Sequence, residues 1–456
     1  MEKKTAQHTD LTQGKVWKVI LRFAFPLLIG NLLQQCYNVT DSVIVGQYLG
    51  KEALAAVSAS FFIYYFVISW VIGIGSGTSV VISQFFGAKD YEKVQRAFSS
   101  FFIFMLGAGL LLSIVGMIMA EPLFVLTHTP EEVIPEAVSY FRIYIGGTFL
   151  FVCFNSVISI LRGVGESVRP MLFILLTTVL NILLDLLFIV GFEWGIEGAA
   201  RATVIAQGIG MCVGLAYLNN RHPLFSIRRR DLLFDASLFK EGLRIGLPTS
   251  AQQCAISLGL MALLGIVNSF GTDTLTAYGA AGKIDTIIIQ AVLTLSSALA
   301  AFTGQNIGAG HLDRVRQGVR FALLINVIFS LTTFALIYFL GDSLMRIFTD
   351  DAEVIRIGWE YLLIMAGFFV VHGGLNIFNG ALRGSGDTLF PMLVSITCLW
   401  LIRIPLAYAF SSLWGRVGIW WAIGCSLCIG LTVIYVYYRL GRWRKHSVVK
   451  RMHEQE

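Results

Sequence analysis

The chain has 456 residues, 56% of them hydrophobic and only 14% charged, with a formal net charge of +6. A water-soluble domain carries about 25% charged residues, and so few polar groups cannot cover a surface that faces water. The balance excludes a disordered chain, a coiled coil and a disulfide-stapled scaffold, and points to lipid.

Twelve apolar runs follow in chain order, at 16–46, 53–85, 96–120, 134–160, 168–191, 196–218, 239–268, 275–304, 316–341, 354–382, 389–412 and 417–439. Each is long enough to cross roughly 30 Å of hydrocarbon as a helix rising about 1.5 Å per residue. The strands of a membrane barrel would be about ten residues long and would alternate in polarity, which these runs do not. The first run is too long for a cleaved leader and follows a polar start, so the amino terminus is expected to stay on the cytoplasmic side.

Basic residues agree with that count. Under it, 26 of the 34 Lys and Arg residues fall on the cytoplasmic side, among them Lys3, Lys4, Arg228, Arg229 and Arg230. Five fall outside (Lys51, Arg201, Arg346, Arg356 and Arg416), and Arg142, Lys283 and Arg403 fall within spans. Such asymmetry sets orientation, and an error of one span would scramble it. The positive charge therefore reads as membrane topology rather than nucleic-acid binding, with both termini cytoplasmic.

Shifted by 221 residues, the sequence meets itself. Gln84, Gly87 and Ala88 fall on Gln305, Gly308 and Ala309, and Tyr140 falls on Tyr361. Leu161-Arg162-Gly163-x-Gly165-Glu166 falls on Leu382-Arg383-Gly384-x-Gly386-Asp387, each followed by Pro-Met-Leu. The expected fold is an all-α integral membrane protein with twelve transmembrane helices. They form two six-helix bundles related by a pseudo-two-fold along the membrane normal, around a central cleft. The expected boundaries are 1–218 for the first lobe, 219–240 for a cytoplasmic linker, 241–440 for the second lobe and 441–456 for a basic cytoplasmic tail. In the repeated motif, Arg162 with Glu166 and Arg383 with Asp387 are candidates to tie down the turn in a gating or structural role, with Gly permitting it.

Carboxylates inside spans are costly unless neutralised, paired or ion-bound. Asp41 in the first span and Asp185 in the fifth lie at a similar depth, roughly 8–14 Å and 9 Å from the outer end. Asn181, one turn from Asp185, and Thr203 in the sixth span reach the same layer. Two carboxylates, an amide oxygen and a hydroxyl are hard donors suited to a small cation. Two acids so placed cannot both stay ionised cheaply, which makes the cluster a candidate site for H⁺ or Na⁺. The repeat puts Ala262 and Leu406 opposite Asp41 and Asp185, so the coupling chemistry is one-sided; the second half offers Lys283, Asp285, His372 and Arg403 instead. Gln34, Gln252, Gln253 and Gln290 are candidate cavity-lining residues, together with His372.

On these features the chain resembles the multidrug and toxic compound extrusion (MATE) transporters over its full length, and within them the prokaryotic DinF-type branch. Pro26, Asp41, Asn181, Asp185 and Thr203 match that branch's amino-lobe cation site, with Tyr37, Asn38 and Tyr140 near it. The resemblance implies antiport, in which an amphiphilic, often cationic solute leaves as H⁺ or Na⁺ enters. Pro26 then marks a hinge in the first span, where a backbone hydrogen bond is missing. Some sodium-coupled relatives carry further acids in spans seven and ten, where this chain has Gln252, Gln253 and His372.

The alternative within the superfamily is a flippase of lipid-linked precursors. No enzyme chemistry, cofactor or disulfide is expected: the seven cysteines lie in spans, and Cys425 and Cys428 lack a metal-ligating neighbour. The partners expected are a small-molecule substrate and the bilayer, without nucleic acid, and the chain is expected to act as a monomer in a bacterial inner membrane.

Overall fold

The computed structural model describes residues 10–127, 129–228 and 230–454. Lys3, Lys4, Arg229 and the side chain of Lys51, counted above for orientation, lie outside the described residues. The described chain is helical throughout, with no strand. Eleven helices are long and apolar enough to cross a membrane, and a bent pair completes twelve.

The first unit holds α1 (Val16–Gly50), α2 (Ala56–Gly87), α3 (Tyr91–Leu126), α4, α5 (Val168–Gly191) and α6 (Gly195–Asn220). The α4 span consists of Ile134–Gly146 and Thr148–Gly163, bent by 46°. The second unit holds α7 (Ala236–Asn268) from Pro248 on, α8 (Thr272–Gly308), α9 (Leu312–Arg346), α10 (Ala352–Ser385), α11 (Leu389–Trp414) and α12 (Arg416–Leu440), while α1 up to Ala24 also belongs to it. A 3₁₀ turn, Arg442–Lys445, and a short helix, α13 (Val448–His453), follow.

Several helices outrun their apolar windows. The third starts at Tyr91 rather than near 96, because Asp90 caps it by accepting from the Lys93 amide at 3.0 Å. Backbone hydrogen bonding continues through polar residues, so the helix end is set by its cap and not by the lipid boundary.

The repeat is visible in the backbone. Gly50 (φ 87°) and Gly271 (φ 93°), 221 apart, make the turns that open α2 and α8. Lys89 (φ 61°) pairs with Gly310 (φ 77°) at the same spacing, and Gly165 (φ 88°) with Gly386 (φ 90°). The other glycine of the repeated motif does different work, because it lets two helices touch. A Cβ at Gly163 would meet the Ser79 carbonyl at 2.9 Å, and one at Gly384 would meet the Ala300 carbonyl at 2.3 Å. Ser79 and Ala300 are themselves 221 apart.

By contacts the chain divides into a unit built on Phe25–Leu247 and one made of Leu11–Ala24 with Pro248–Glu456. The chain passes between units inside α1 and α7, next to Pro26 and Pro248, where each helix lacks a backbone donor. Residues 11–24 belong with the second unit through specific bonds. The Leu11 amide donates to Gln305 Oε1 at 3.1 Å, Asn306 Nδ2 donates to the Leu11 carbonyl at 3.1 Å, and Arg314 donates to the Gly14 carbonyl at 2.8 Å. Each unit has its own apolar core, centred on Phe124 and Phe141 in the first and on Phe369 and Trp420 in the second.

Candidate ion-coupling site

In the first unit α1, α5 and α6 bring Asp41, Asn181, Asp185, Thr203 and Tyr37 into one buried cluster. Asp41 is 9% exposed, Asn181 2%, Asp185 0% and Thr203 2%. Asn181 Nδ2 donates to Thr203 Oγ1 at 3.1 Å, and Tyr37 Oη lies 3.2 Å from the same oxygen. The two carboxyl groups sit close enough to interact with each other. Asp41 Oδ1, both Asp185 oxygens and Asn181 Oδ1 are buried without a hydrogen-bond donor among the described residues. A buried acceptor left unmade costs about 1–3 kcal/mol, and more when charged. This is the arrangement that a bound proton or a small cation would complete.

Local backbone geometry helps to aim the acid. Asp185 ends the regular part of α5, and a π-helical turn runs from Leu186 to Gly191. Such turns shift the side-chain register and recur at functional sites. A cavity of about 40 Å³ opens beside Asn181 and Thr203, with Gln34, Tyr37, Thr178 and Gln207 in its wall. That holds water-sized species, whereas drug-sized ligands need roughly 300–1,000 Å³.

Sequence reasoning did not single out Tyr144, Tyr64 and Gln207. Tyr144 stacks on Tyr140 (5.6 Å, 14°), meets the edge of Tyr64 at 4.3 Å, and reaches Tyr37 and Gln207. The available signal was Tyr144 lying one helical turn after Tyr140. Asn38 is exposed and donates to Gln35 Oε1 at 3.4 Å, turned away from the cluster. Pro26 lies fifteen residues before Asp41 on the same helix.

The second unit has a different buried cluster on matching rungs. Asp285 stands at the repeat position of Tyr64, and Tyr361 at that of Tyr140. Tyr361 Oη donates to Asp285 Oδ2 at 3.1 Å and packs edge-on against Trp420. Arg403, which ends a π-helical turn in α11, donates to Ser426 Oγ at 2.8 Å and lies near Tyr278, Tyr361 and His372. Lys283 is turned out over Phe348. Gln252 donates to Ser395 Oγ at 2.6 Å, while the backbone carbonyls of Gln253 and Gln290 each accept a hydroxyl from the next turn. Arg142, placed within a span from sequence, is half exposed beside Glu121 at 3.7 Å, on the first half of the bent α4.

The acids of the repeated motif are held by tyrosine, not by the neighbouring arginine. Tyr217 Oη donates to both Glu166 oxygens at 3.1 Å, with His222 Nε2 3.6 Å from Oε1. In the second unit Tyr437 Oη donates to Asp387 Oδ2 at 2.6 Å, with His446 Nδ1 at 3.5 Å. Burial pushes the Glu166 carboxyl up, against the opposing pull of the Tyr217 hydrogen bond and the Arg169 charge. Arg162 keeps its Nε buried with no acceptor among the described residues, and Arg383 makes no bridge to Asp387. Arg and carboxylate were expected together to tie down the turn, but each acid lies past the end of its helix, four residues on from the arginine, where the i,i+4 geometry no longer holds. Among the described residues no group of three or more His, Cys, Asp or Glu is arranged around a metal position.

The MatE family matches residues 26–187 and 248–409, one match in each half. The chain is 33% identical to the "Probable multidrug resistance protein YpnP" of Bacillus subtilis (strain 168), over 95% of this chain and 97% of that protein. It is 32% identical to "Probable multidrug resistance protein YoeA" of the same organism, over 98% and 99%. Its fold superposes with a TM-score of 0.91 and 26% identity on the outward-facing conformation of a multidrug resistance MATE family transporter of the MOP superfamily, over 97% of this chain and 100% of that one.

Proposed function

The chain belongs to the MatE family, and from that premise we propose that it is a secondary antiporter that exports amphiphilic, often cationic solutes in exchange for H⁺ or Na⁺. It is a multi-pass membrane transporter of the multidrug-efflux type. The observation that carries the coupling assignment is the set of buried acceptor oxygens on Asp41, Asp185 and Asn181 with no donor. A proton or Na⁺ entering the cluster satisfies them, and the two acids then no longer repel each other. For exchange, ion and solute must favour opposite states or compete within one. In our reading Asp41 and Asp185 take the ion, Asn181 and Thr203 complete its shell, and Pro26 lets α1 answer to the change. Both termini lie on the cytoplasmic side of a bacterial inner membrane, in line with the distribution of basic residues.

The test is cation efflux in everted vesicles, driven separately by a proton and a sodium gradient. Asp41→Asn and Asp185→Asn are each expected to abolish the response to the effective ion, and the double variant to be no worse than either single one, because the two act as a unit. Normal, ion-dependent export by both single variants would overturn the site. Export of a lipid-linked precursor but of no amphiphilic cation would turn the assignment toward the flippase.

A further inference from the structure

The second unit carries a cavity of about 500 Å³ at the end of α9 and α12 where the basic residues gather, far along both helices from the buried Asp285 cluster. We propose that it binds the phosphate headgroup of one anionic phospholipid. The proposal is independent of which ion or solute the protein moves.

Four arginines reach this cavity from three elements: Arg316 and Arg320 on α9, Arg439 at the last turn of α12, and Arg444 in the 3₁₀ turn beyond it. Arg316 and Arg320 are four apart and share a helix face. Among the described residues no acidic one lines the cavity. The nearest identified carboxylate partner is Asp313, which binds Arg316 at 2.9 Å and is itself 85% exposed. Arginine is suited to such a ligand because its planar fork meets two phosphate oxygens at once.

The floor is aromatic and rigid. Trp443 is 1% exposed, stacks on Tyr438 (5.2 Å, 5°), and donates its indole N–H to the Tyr438 carbonyl at 3.0 Å. Phe378 braces Tyr438 from α10 at 5.1 Å. Arg444 lies over the Trp443 ring at 5.7 Å, which holds its guanidinium at the rim. Tyr438 supplies an independent indication. Its hydroxyl is buried with no hydrogen-bond partner among the described residues, and it lies within the field of Arg316, Arg320 and Arg444. A hydroxyl donor set among three cations is matched by a multi-oxygen anion, whereas a neutral or zwitterionic headgroup leaves the arginines uncompensated.

The surroundings select a lipid over a free phosphate ion. Along the same helices, exposed apolar side chains continue from the cavity: Leu324, Val327 and Ile328 on α9, and Val433 and Val436 on α12. A phosphodiester seated among the arginines would lay its acyl chains along this track. A basic cavity between helix ends on the positively charged side is the expected form of an anionic-lipid site.

The experiment uses the full-length protein in detergent, titrated with phosphatidylglycerol, phosphatidylcholine or inorganic phosphate, with lipid adducts counted by native mass spectrometry. The wild type should retain one phosphatidylglycerol in preference to phosphatidylcholine. Arg320→Gln should weaken its retention about fivefold, and adding Arg444→Gln should multiply the loss by a similar factor, at about 1 kcal/mol per arginine. Tyr438→Phe should weaken it several-fold while leaving the melting temperature in lipid-free detergent unchanged. Lys445→Gln, which removes a charge from the same end without touching the cavity, should have no effect. Equal retention of the two lipids, or a loss from Lys445→Gln as large as that from Arg320→Gln, would overturn the proposal. So would displacement of phosphatidylglycerol by inorganic phosphate at matched concentration, which would make this a soluble-anion site.

Discussion

Asn181 donates its amide N–H to Thr203 Oγ1 at 3.1 Å, and by doing so fixes its carbonyl oxygen in the buried cluster, with no donor of its own among the described residues. On the proposed function, Thr203 then acts in part by holding the Asn181 oxygen toward the ion. Thr203→Val keeps the shape and removes the acceptor, leaving the Asn181 amide free to turn. A lost buried hydrogen bond is worth about 1–3 kcal/mol, so the ion concentration at half-maximal exchange should rise about tenfold. Thr203→Ser, which keeps the hydroxyl, should stay near the wild type. Equal behaviour of the two variants in vesicle transport would remove Thr203 from the site.

At Gly384 the added methyl of alanine would collide with the Ala300 carbonyl at 2.3 Å and with Thr303 Cβ at 2.8 Å. Both obstacles belong to the α8 backbone or its root, so α8 and α10 must separate. Gly384→Ala should destabilise the second unit by about 1–3 kcal/mol, the usual cost of overpacking, and lower the melting temperature in detergent. An unchanged transition would mean that the two helices do not approach as described.

Lys89 holds φ 61° after α2, where the second half has Gly310 at φ 77°. A residue with a Cβ gives up about 1–2 kcal/mol in this left-handed region, and the Lys89 side chain is exposed. Lys89→Gly should therefore stabilise the protein by about 1 kcal/mol, and Gly310→Lys should cost a similar amount. Reciprocal shifts in thermal midpoint would check both.

Glu166 faces Tyr217, His222 and Arg169, and burial raises its carboxyl above the usual range. A raised folded-state value means that the protonated form is favoured on folding. The stabilisation is complete below the unfolded value near 4.5 and is lost as pH climbs through the folded one. Glu166→Gln mimics the protonated carboxyl, so its melting temperature should fall less than that of the wild type as pH rises from 4 toward neutrality. Parallel pH profiles for the two proteins would rule the effect out.

The spans, their number and the internal repeat were legible because hydropathy and spacing act along the chain. Asp41, Asn181, Asp185 and Thr203 could be grouped from depth alone, since a helix converts residue number into height. Which helix faces which is not encoded that way. Glu166 was expected to act with Arg162 in tying down the turn, yet it accepts from Tyr217, 51 residues on. Lys283 and Asp285, two apart on one helix, do not face each other, and the partner that Asp285 takes instead, Tyr361, stands 76 residues away. The bend in α4 has no proline to mark it, and Arg142, on its first half, pairs with Glu121 of the preceding helix, a neighbour that spacing along the chain does not reveal.

Gly50 and Gly271 keep the same turn at the same spacing, while Tyr64 and Asp285 share a rung and differ in chemistry. The two halves thus hold their turns in common and differ in buried chemistry: a carboxylate pair in one, an acid and an arginine in the other. Sharing a backbone frame does not oblige the two lobes to share a task, because a polar rung can be exchanged without moving the turns that hold its helix in place.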